Sequence, residues 1–224
     1  MEDKAGVPHK YLSCRLDNFE SRKEYPKLVP FIRKRLAAMS LISGNKESTE
    51  ERGFFFNGTV GTGKTHLAVG VLAEGISVGL HGFFTSVSQY LVSCQESWQL
   101  NHLYSKDPEE WEEHAPPPDS LSCLIENLDI PGCVVLDDLG MEKPTAFTRQ
   151  VLDTVIEKIY NNSRTLLVVT SNLSLSELKK IYPRIADRMA ESCTSVQLDM
   201  LSYRVMKAQR RMAAVAREIG YSSE

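Results

Sequence analysis

Gly58-Thr59-Val60-Gly61-Thr62-Gly63-Lys64-Thr65 fits the pattern G-x-x-x-x-G-K-[ST] without a gap. Residues of these types at this spacing form a phosphate cradle. The glycines let the backbone curl until successive N–H groups converge on one anion, the Lys64 ammonium reaches the β- and γ-phosphates, and the Thr65 hydroxyl is a ligand for Mg²⁺. A chance lysine in a glycine-rich turn is the competing reading. The setting argues against it, because the apolar run Phe54-Phe55-Phe56 precedes the loop and a helical pattern follows from His66, adding the positive end of a helix dipole at the anion. A nucleoside triphosphate is the expected ligand.

A second group of acids stands at the end of another apolar run, Val134-Val135-Leu136-Asp137-Asp138. A buried strand that presents carboxylates at its C-terminal end, beside a P-loop, is where Mg²⁺ is held in open α/β sheets. Asp137 is the expected metal partner of Thr65, and Asp138 is expected to orient the attacking water, a positioning role. The plainer alternative is that the two acids begin a turn before Gly140. Thr170-Ser171-Asn172 closes the next strand. Asn172 carries both a donor and an acceptor, so it could hold the lytic water or sense the γ-phosphate, or it could simply cap the strand.

The elements that must position these groups alternate between two periods. Phe54–Phe56, Gly82–Val87, Cys133–Leu136, Thr165–Thr170 and Ser195–Leu198 read as strands. Between them, Lys64 to Leu80 carries Leu67, Ala68, Val71, Leu72 and Ile76 on one face, and a second helix starts near Ser88. A third runs from about Pro144, at a first-turn position, to Tyr160 with Val151, Leu152, Val155, Ile156 and Ile159 in register. Ser174-Leu175-Ser176-Glu177 has the capping-box form, and Leu201 to Ile219 reads as a terminal helix. Before the first strand, Leu28 to Met39 is a basic amphipathic segment and Ser43 to Glu51 a polar connector. Strands alternating with helices predict right-handed crossovers and a parallel sheet covered on both faces, an α/β P-loop fold. Three regions are expected: an N-terminal segment over 1–50, a nucleotide-binding core over 51–199, and a C-terminal helix over 200–224. Near 105–119 the core is interrupted by an acidic, proline-rich insertion containing Trp111 and Pro116-Pro117-Pro118, read as a solvated loop or a partner-binding surface.

At 224 residues the chain can bury one sizeable core without staples. Its five cysteines show no C-x-x-C pair and no histidine at ligand spacing, which argues for free thiols rather than a zinc site or disulfide framework. No apolar run approaches the ~20 residues of a membrane span, and no signal-peptide stretch opens the chain, so a soluble, cytoplasmic protein is expected. With a formal net charge of −3, any nucleic-acid contact must come from local patches or from several subunits together. Candidate basic patches are Lys27, Arg33, Lys34 and Arg35, then Lys179 and Lys180, then Lys207, Arg210 and Arg211; solvated faces are the competing reading.

The order P-loop, strand ending Asp137-Asp138, strand ending in Asn172, then Ile185-Ala186-Asp187-Arg188-Met189 and Ser202-Tyr203-Arg204 resembles the AAA+ ATPases of the DnaC/IstB group, helicase loaders and transposition helpers. Gly63-Lys64-Thr65-His66-Leu67-Ala68 and Leu136-Asp137-Asp138-Leu139-Gly140 are the most specific pieces, and the resemblance spans the chain from about Leu16. It implies a small C-terminal helical lid and an ATP- and Mg²⁺-dependent ATPase that forms ATP-dependent homo-oligomers. DNA is the implied partner, single-stranded more than duplex, with a replicative helicase or, alternatively, a transposase. It further implies that Asn172 is the sensor-1 residue, Arg188 an arginine finger offered to a neighbouring copy with Arg184 as a second candidate, Arg204 the sensor-2 arginine, and Leu16 to Phe19 the segment against the adenine. Related proteins place channel-lining elements after the second strand, where Tyr90, Trp98 and Tyr104 are available, although the helical register of Tyr90 points to the core. Two departures stand out. Asp138 replaces the more common Glu, which favours slow turnover, and only about fifty residues precede Phe54, so the region with which full-length members grip partners is expected to be missing or reduced. A nucleotide-switched interaction protein with weak hydrolysis, or a small-molecule kinase, are the readings from other classes.

Overall fold

Five parallel strands form one sheet in the order β2-β3-β4-β1-β5, where β1 is Gly53–Gly58, β2 His81–Ser86, β3 Gly132–Leu139, β4 Thr165–Ser171 and β5 Cys193–Leu198. The structure is a computed structural model that describes residues 5–20, 25–38, 52–104, 132–162 and 164–218. The acidic insertion, with Trp111, lies outside the described residues. Among the described residues seven helices accompany the sheet: α1 Leu28–Ala38, α2 Lys64–Ser77, α3 Val87–Tyr104, α4 Ala146–Asn161, α5 Leu175–Ile181, α6 Pro183–Ser192 and α7 Tyr203–Glu218.

Strand alternation divides the core cleanly. Phe54, Phe56, Cys133, Val135, Leu166 and Val168 face α2 and the N-terminal segment, where Leu67, Ala68, Val71 and Leu72 meet Ile32 of α1, Leu16 and Phe19. Phe55, Val134, Leu136, Leu167 and Val169 face the other way, onto Leu152, Val155 and Ile156 of α4 and Ile185 and Met189 of α6. Burial on both faces is what parallel strands require, and it explains why their sequences are continuous apolar runs.

The sheet order has a consequence for chemistry. β4 lies between the P-loop strand β1 and the acid strand β3, so the carboxyl end of β4 is inserted between the loop and the acids. β3 and β4 run in step from Gly132↔Thr165 to Leu136↔Val169, then slip, with Leu139 opposite Ser171. The irregularity falls on Asp137 and Asp138, and Asp138 adopts a left-handed φ of 60°. Such a bulge re-aims side chains at a strand end: Asp137 is buried and Asp138 exposed.

Boundaries shift where caps decide them. Helix α4 begins at Ala146, later than the proline suggests, because the Thr145 hydroxyl accepts the Thr148 N–H at 3.1 Å and makes Thr145 the cap. The capping box at Ser174 and Glu177 is present as the sequence pattern predicts. Tyr90 packs partly buried against the α4 side of the core. The described cysteines Cys14, Cys94, Cys133 and Cys193 are free thiols. Among the described residues no helix is long and apolar enough to cross a membrane.

Candidate nucleotide site

Three glycines shape the loop between β1 and α2: Gly58, Gly61 and Gly63 have φ of 147°, 85° and 90°. At Gly63 a side chain is doubly excluded, since a Cβ would stand 2.7 Å from the Phe19 ring. Thr62 is fully buried and its hydroxyl donates to the Thr59 carbonyl at 3.0 Å, tying the loop across itself. The Lys64 ammonium donates to the carbonyls of Gly58 and Thr59 at 2.9 and 2.7 Å. Burial lowers the Lys64 pKa, while the charges of Asp138 and Asp137 oppose that shift.

Beside the loop the acids and hydroxyls form a chain. The Thr65 hydroxyl donates to Asp137 Oδ2 at 3.3 Å, Thr170 Oγ1 donates to Asp137 Oδ1 at 2.7 Å, and the Asp138 N–H donates to the same Thr170 oxygen at 2.9 Å. Burial pushes the Asp137 carboxyl up; the Thr170 hydrogen bond pulls it down, the Asp138 charge raises it again, and Thr65 and Lys64 lower it. A buried carboxylate and a threonine hydroxyl, hard oxygens side by side, fit Mg²⁺, which takes one or two protein oxygens and completes its shell with water and phosphate. Among the described residues there is no group of three or more His, Cys, Asp or Glu that could hold a metal ion.

A cleft of about 640 Å³ opens over this array, a volume suited to a small organic ligand. Of the residues singled out from the sequence, Phe19, Val60, Gly61, Gly63, Lys64, Thr65, His66, Asp138, Asn172 and Arg204 line it. Gly58, Thr59 and Thr62 lie beneath as scaffold, and Asp137 sits behind Thr65. The Asn172 amide donates to the Met141 sulfur at 3.2 Å at the edge of the cleft. Arg204 faces Lys64 closely enough for its charge to depress the lysine pKa further.

Arg188 is elsewhere. It is on α6, 3.2 Å from Glu157 and 6.0 Å from the centroid of Tyr160 on α4, and its second guanidinium nitrogen is buried without a hydrogen bond. It takes no part in this chain's own cleft. Several basic candidates are engaged within the chain: Arg33 by Asp17 and Glu74, Lys179 by Asp187, and Arg210 by Glu20.

Sequence reasoning missed two parts of the cleft. One is Thr170, which links both acids although only Asn172 after it drew attention. The other is the start of the N-terminal wall, a 3₁₀ turn at His9–Tyr11 and the residues after it, which bring Tyr11, Ser13 and Cys14 to the cleft beside the second turn, Leu16–Asn18, of the segment that the resemblance sets against the adenine. Turns this short carry no periodicity. Opposite the wall, α7 docks by its first residue, whose N–H donates to the Gly61 carbonyl at 2.9 Å. Glu20 closes the gap, accepting from the Tyr203 hydroxyl at 2.8 Å and from Arg210 at 3.0 Å. The Tyr203 bond, then Arg210, holds the Glu20 carboxyl below its ordinary range.

No family model matches the chain. It is 22% identical over 187 residues to the replicative helicase loader DnaC of Buchnera aphidicola subsp. Baizongia pistaciae, covering 83% of this chain and 67% of that protein. Among solved structures, the DnaC helicase loader superposes with a TM-score of 0.59 at 22% identity, over 86% of this chain and all of that one. Replication initiator DnaA bound to AMPPCP and single-stranded DNA superposes with a TM-score of 0.57 at 17% identity, over 97% of this chain and 58% of that one. The chain thus shares its fold with these proteins, and the order of its motifs is similar to that of the DnaC/IstB group.

Proposed function

We propose that the chain is an ATPase that binds ATP and Mg²⁺, assembles with copies of itself around the nucleotide, and uses that state to hold single-stranded DNA and load a replicative helicase. The observation that carries this reading is the linked array of Thr65, Asp137, Thr170 and Asp138 beside the P-loop. Lys64 would exchange its two loop carbonyls for phosphate oxygens, and Thr65 with Asp137 would hold Mg²⁺, which would supply neutralisation of developing phosphate charge. Asp138 and Asn172 orient the attacking water at the cleft mouth. Arg204 places a guanidinium on the phosphates from the same chain. Arg188, on a different face, serves a neighbouring copy, where such a contact is worth about 10³–10⁵ in rate. The likeness to DnaC favours a helicase as partner and a cytoplasmic setting. A nucleotide-switched interaction protein with weak hydrolysis is the second reading, favoured by the short Asp138 side chain on a left-handed residue.

Light scattering with ATP, ADP or neither, with and without single-stranded DNA, tests assembly; phosphate release by the parent, Lys64→Ala and Arg188→Ala tests chemistry. Growth in mass only with ATP, turnover lost in both variants and ATP binding kept in Arg188→Ala are expected. A monomer under all conditions whose Arg188→Ala variant turns over normally would refute the shared site. Tight ATP binding without turnover selects the second reading.

A further inference from the structure

His66 follows Thr65 on α2 and lines the cleft against the N-terminal wall. Its Nε2 is 2.9 Å from the Arg15 carbonyl oxygen and 2.9 Å from Asn18 Oδ1. A carbonyl oxygen can only accept. The Asn18 amide is fixed as well, because its Oδ1 accepts the Arg15 N–H at 2.8 Å and its Nδ2 donates to the Ser13 carbonyl at 2.7 Å. Nε2 must therefore carry the proton and share it between two oxygens. In the neutral imidazole the other ring nitrogen is then the acceptor. Nδ1 then bears a lone pair; it has no partner among the described residues and is not a buried atom. Phe19 meets the ring edge to face, with centroids 5.5 Å apart at 62°, so an aromatic surface and a lone acceptor adjoin in the cleft.

We infer that His66 Nδ1 accepts a hydrogen bond from the exocyclic amine of the bound base, making the cleft selective for adenine over purines with oxygen or hydrogen at that position. This rests on the nucleotide reading above. The amine is a donor and matches the lone pair, whereas the oxygen at the same place in guanine or hypoxanthine would set lone pair against lone pair. A purine lacking the substituent leaves the acceptor to water.

Dissociation constants of the full chain for ATP, purine riboside triphosphate, ITP and 2′-deoxyATP test this. ATP should bind roughly fivefold tighter than purine riboside triphosphate, the worth of one hydrogen bond, ITP should bind more weakly still, and 2′-deoxyATP should equal ATP. His66→Gln keeps an N–H donor for Arg15 and Asn18 but carries no acceptor at the Nδ1 position, its amide oxygen being bonded to the same carbon as the donating nitrogen, so its ATP to purine riboside ratio should fall to near one. Nitrogen NMR of the unaltered protein reads the same contact: the unprotonated Nδ1 signal should move upfield with ATP and stay with the purine riboside analogue. Equal affinities in the parent, an unchanged ratio in His66→Gln, a still Nδ1 signal with ATP, or weakening confined to 2′-deoxyATP would each overturn the assignment. Failure to bind any of the four would instead strike at the nucleotide reading.

Discussion

Thr170→Val preserves the shape of a fully buried side chain and removes one oxygen that serves two acids. No cavity is created, so the change isolates polar terms. The bond to Asp137 Oδ1 is short, 2.7 Å, and has a carboxylate acceptor; such bonds contribute about 1.5–3 kcal/mol. The Asp138 N–H loses its 2.9 Å acceptor, at the lower end of the ~1–3 kcal/mol cost of an orphaned donor because the exposed residue lets water approach. The sum is about 2–4 kcal/mol, which lowers Tm by roughly 5–15 °C for a chain of this size. Function should suffer separately. Asp137 loses the bond that holds its carboxylate in one orientation and pulls its pKa down, so metal-nucleotide affinity should fall about tenfold, while nucleotide binding without Mg²⁺ changes little. Calorimetric melting and titration with ATP, with and without Mg²⁺, read the two effects, and Thr170→Ser should restore both. A valine variant with parental Tm and parental Mg²⁺ dependence would refute the reasoning.

Asp137→Asn removes a charge that burial disfavours. The folded pKa lies above the unfolded one, so the group's contribution to stability is present at acid pH below the unfolded value and is lost as pH rises through the folded pKa. The variant should therefore gain on the parent across that window and melt about 2–4 °C higher at neutral pH for each ~1 kcal/mol relieved, yet lose Mg²⁺-dependent nucleotide binding; melting curves at stepped pH check the sign. Gly63→Ala meets both the left-handed backbone and the Phe19 ring. A cost of about 1–3 kcal/mol and a loss of nucleotide binding greater than the loss of stability are expected from melting and titration. Glu20→Gln loosens the link to Tyr203 and Arg210. Because its folded pKa lies below the unfolded one, the carboxylate's contribution is present above the unfolded value and lost as pH falls through the folded one. Stopped-flow displacement should show faster nucleotide release in the variant at neutral pH and low salt, with the difference fading in acid or in high salt.

Much of the fold was legible because its strands are buried on both faces and its helices amphipathic, so period alone separates Phe54–Phe56 from Leu67–Leu72 and Leu166–Val169 from Leu152–Ile159. Gly61 and Gly63 were legible too, since their backbone conformations leave few other residues possible. The strand order was not. Nothing in the run from Thr165 to Ser171 says that it slides between the P-loop strand and the acid strand, which is why Thr170 looked like part of a strand and not like the hinge of the acid array. Asp137 and Asp138 read as having different roles, metal and water, but the register slip of β3 against β4 that sends one inward and the other out leaves no mark in the sequence. The wall from Tyr11 to Glu20 carries no pattern of its own, its part from Leu16 to Phe19 being expected only from the resemblance: it is held by single backbone-directed bonds, such as Asn18 to Ser13 and His66 to Arg15, that leave no repeat in the sequence.

The link of Glu20 to Tyr203 and Arg210 joins residues 183 and 190 positions apart. On the ribosome, that interval takes roughly 10–40 s at ordinary elongation rates. Through most of this time the phosphate loop lacks the β4 and β5 neighbours of its strand and the α7 helix docked on Gly61, so tight nucleotide capture is deferred until residues up to Arg210 have been made. Unfinished chains released early would thus be poor competitors for the cell's triphosphates.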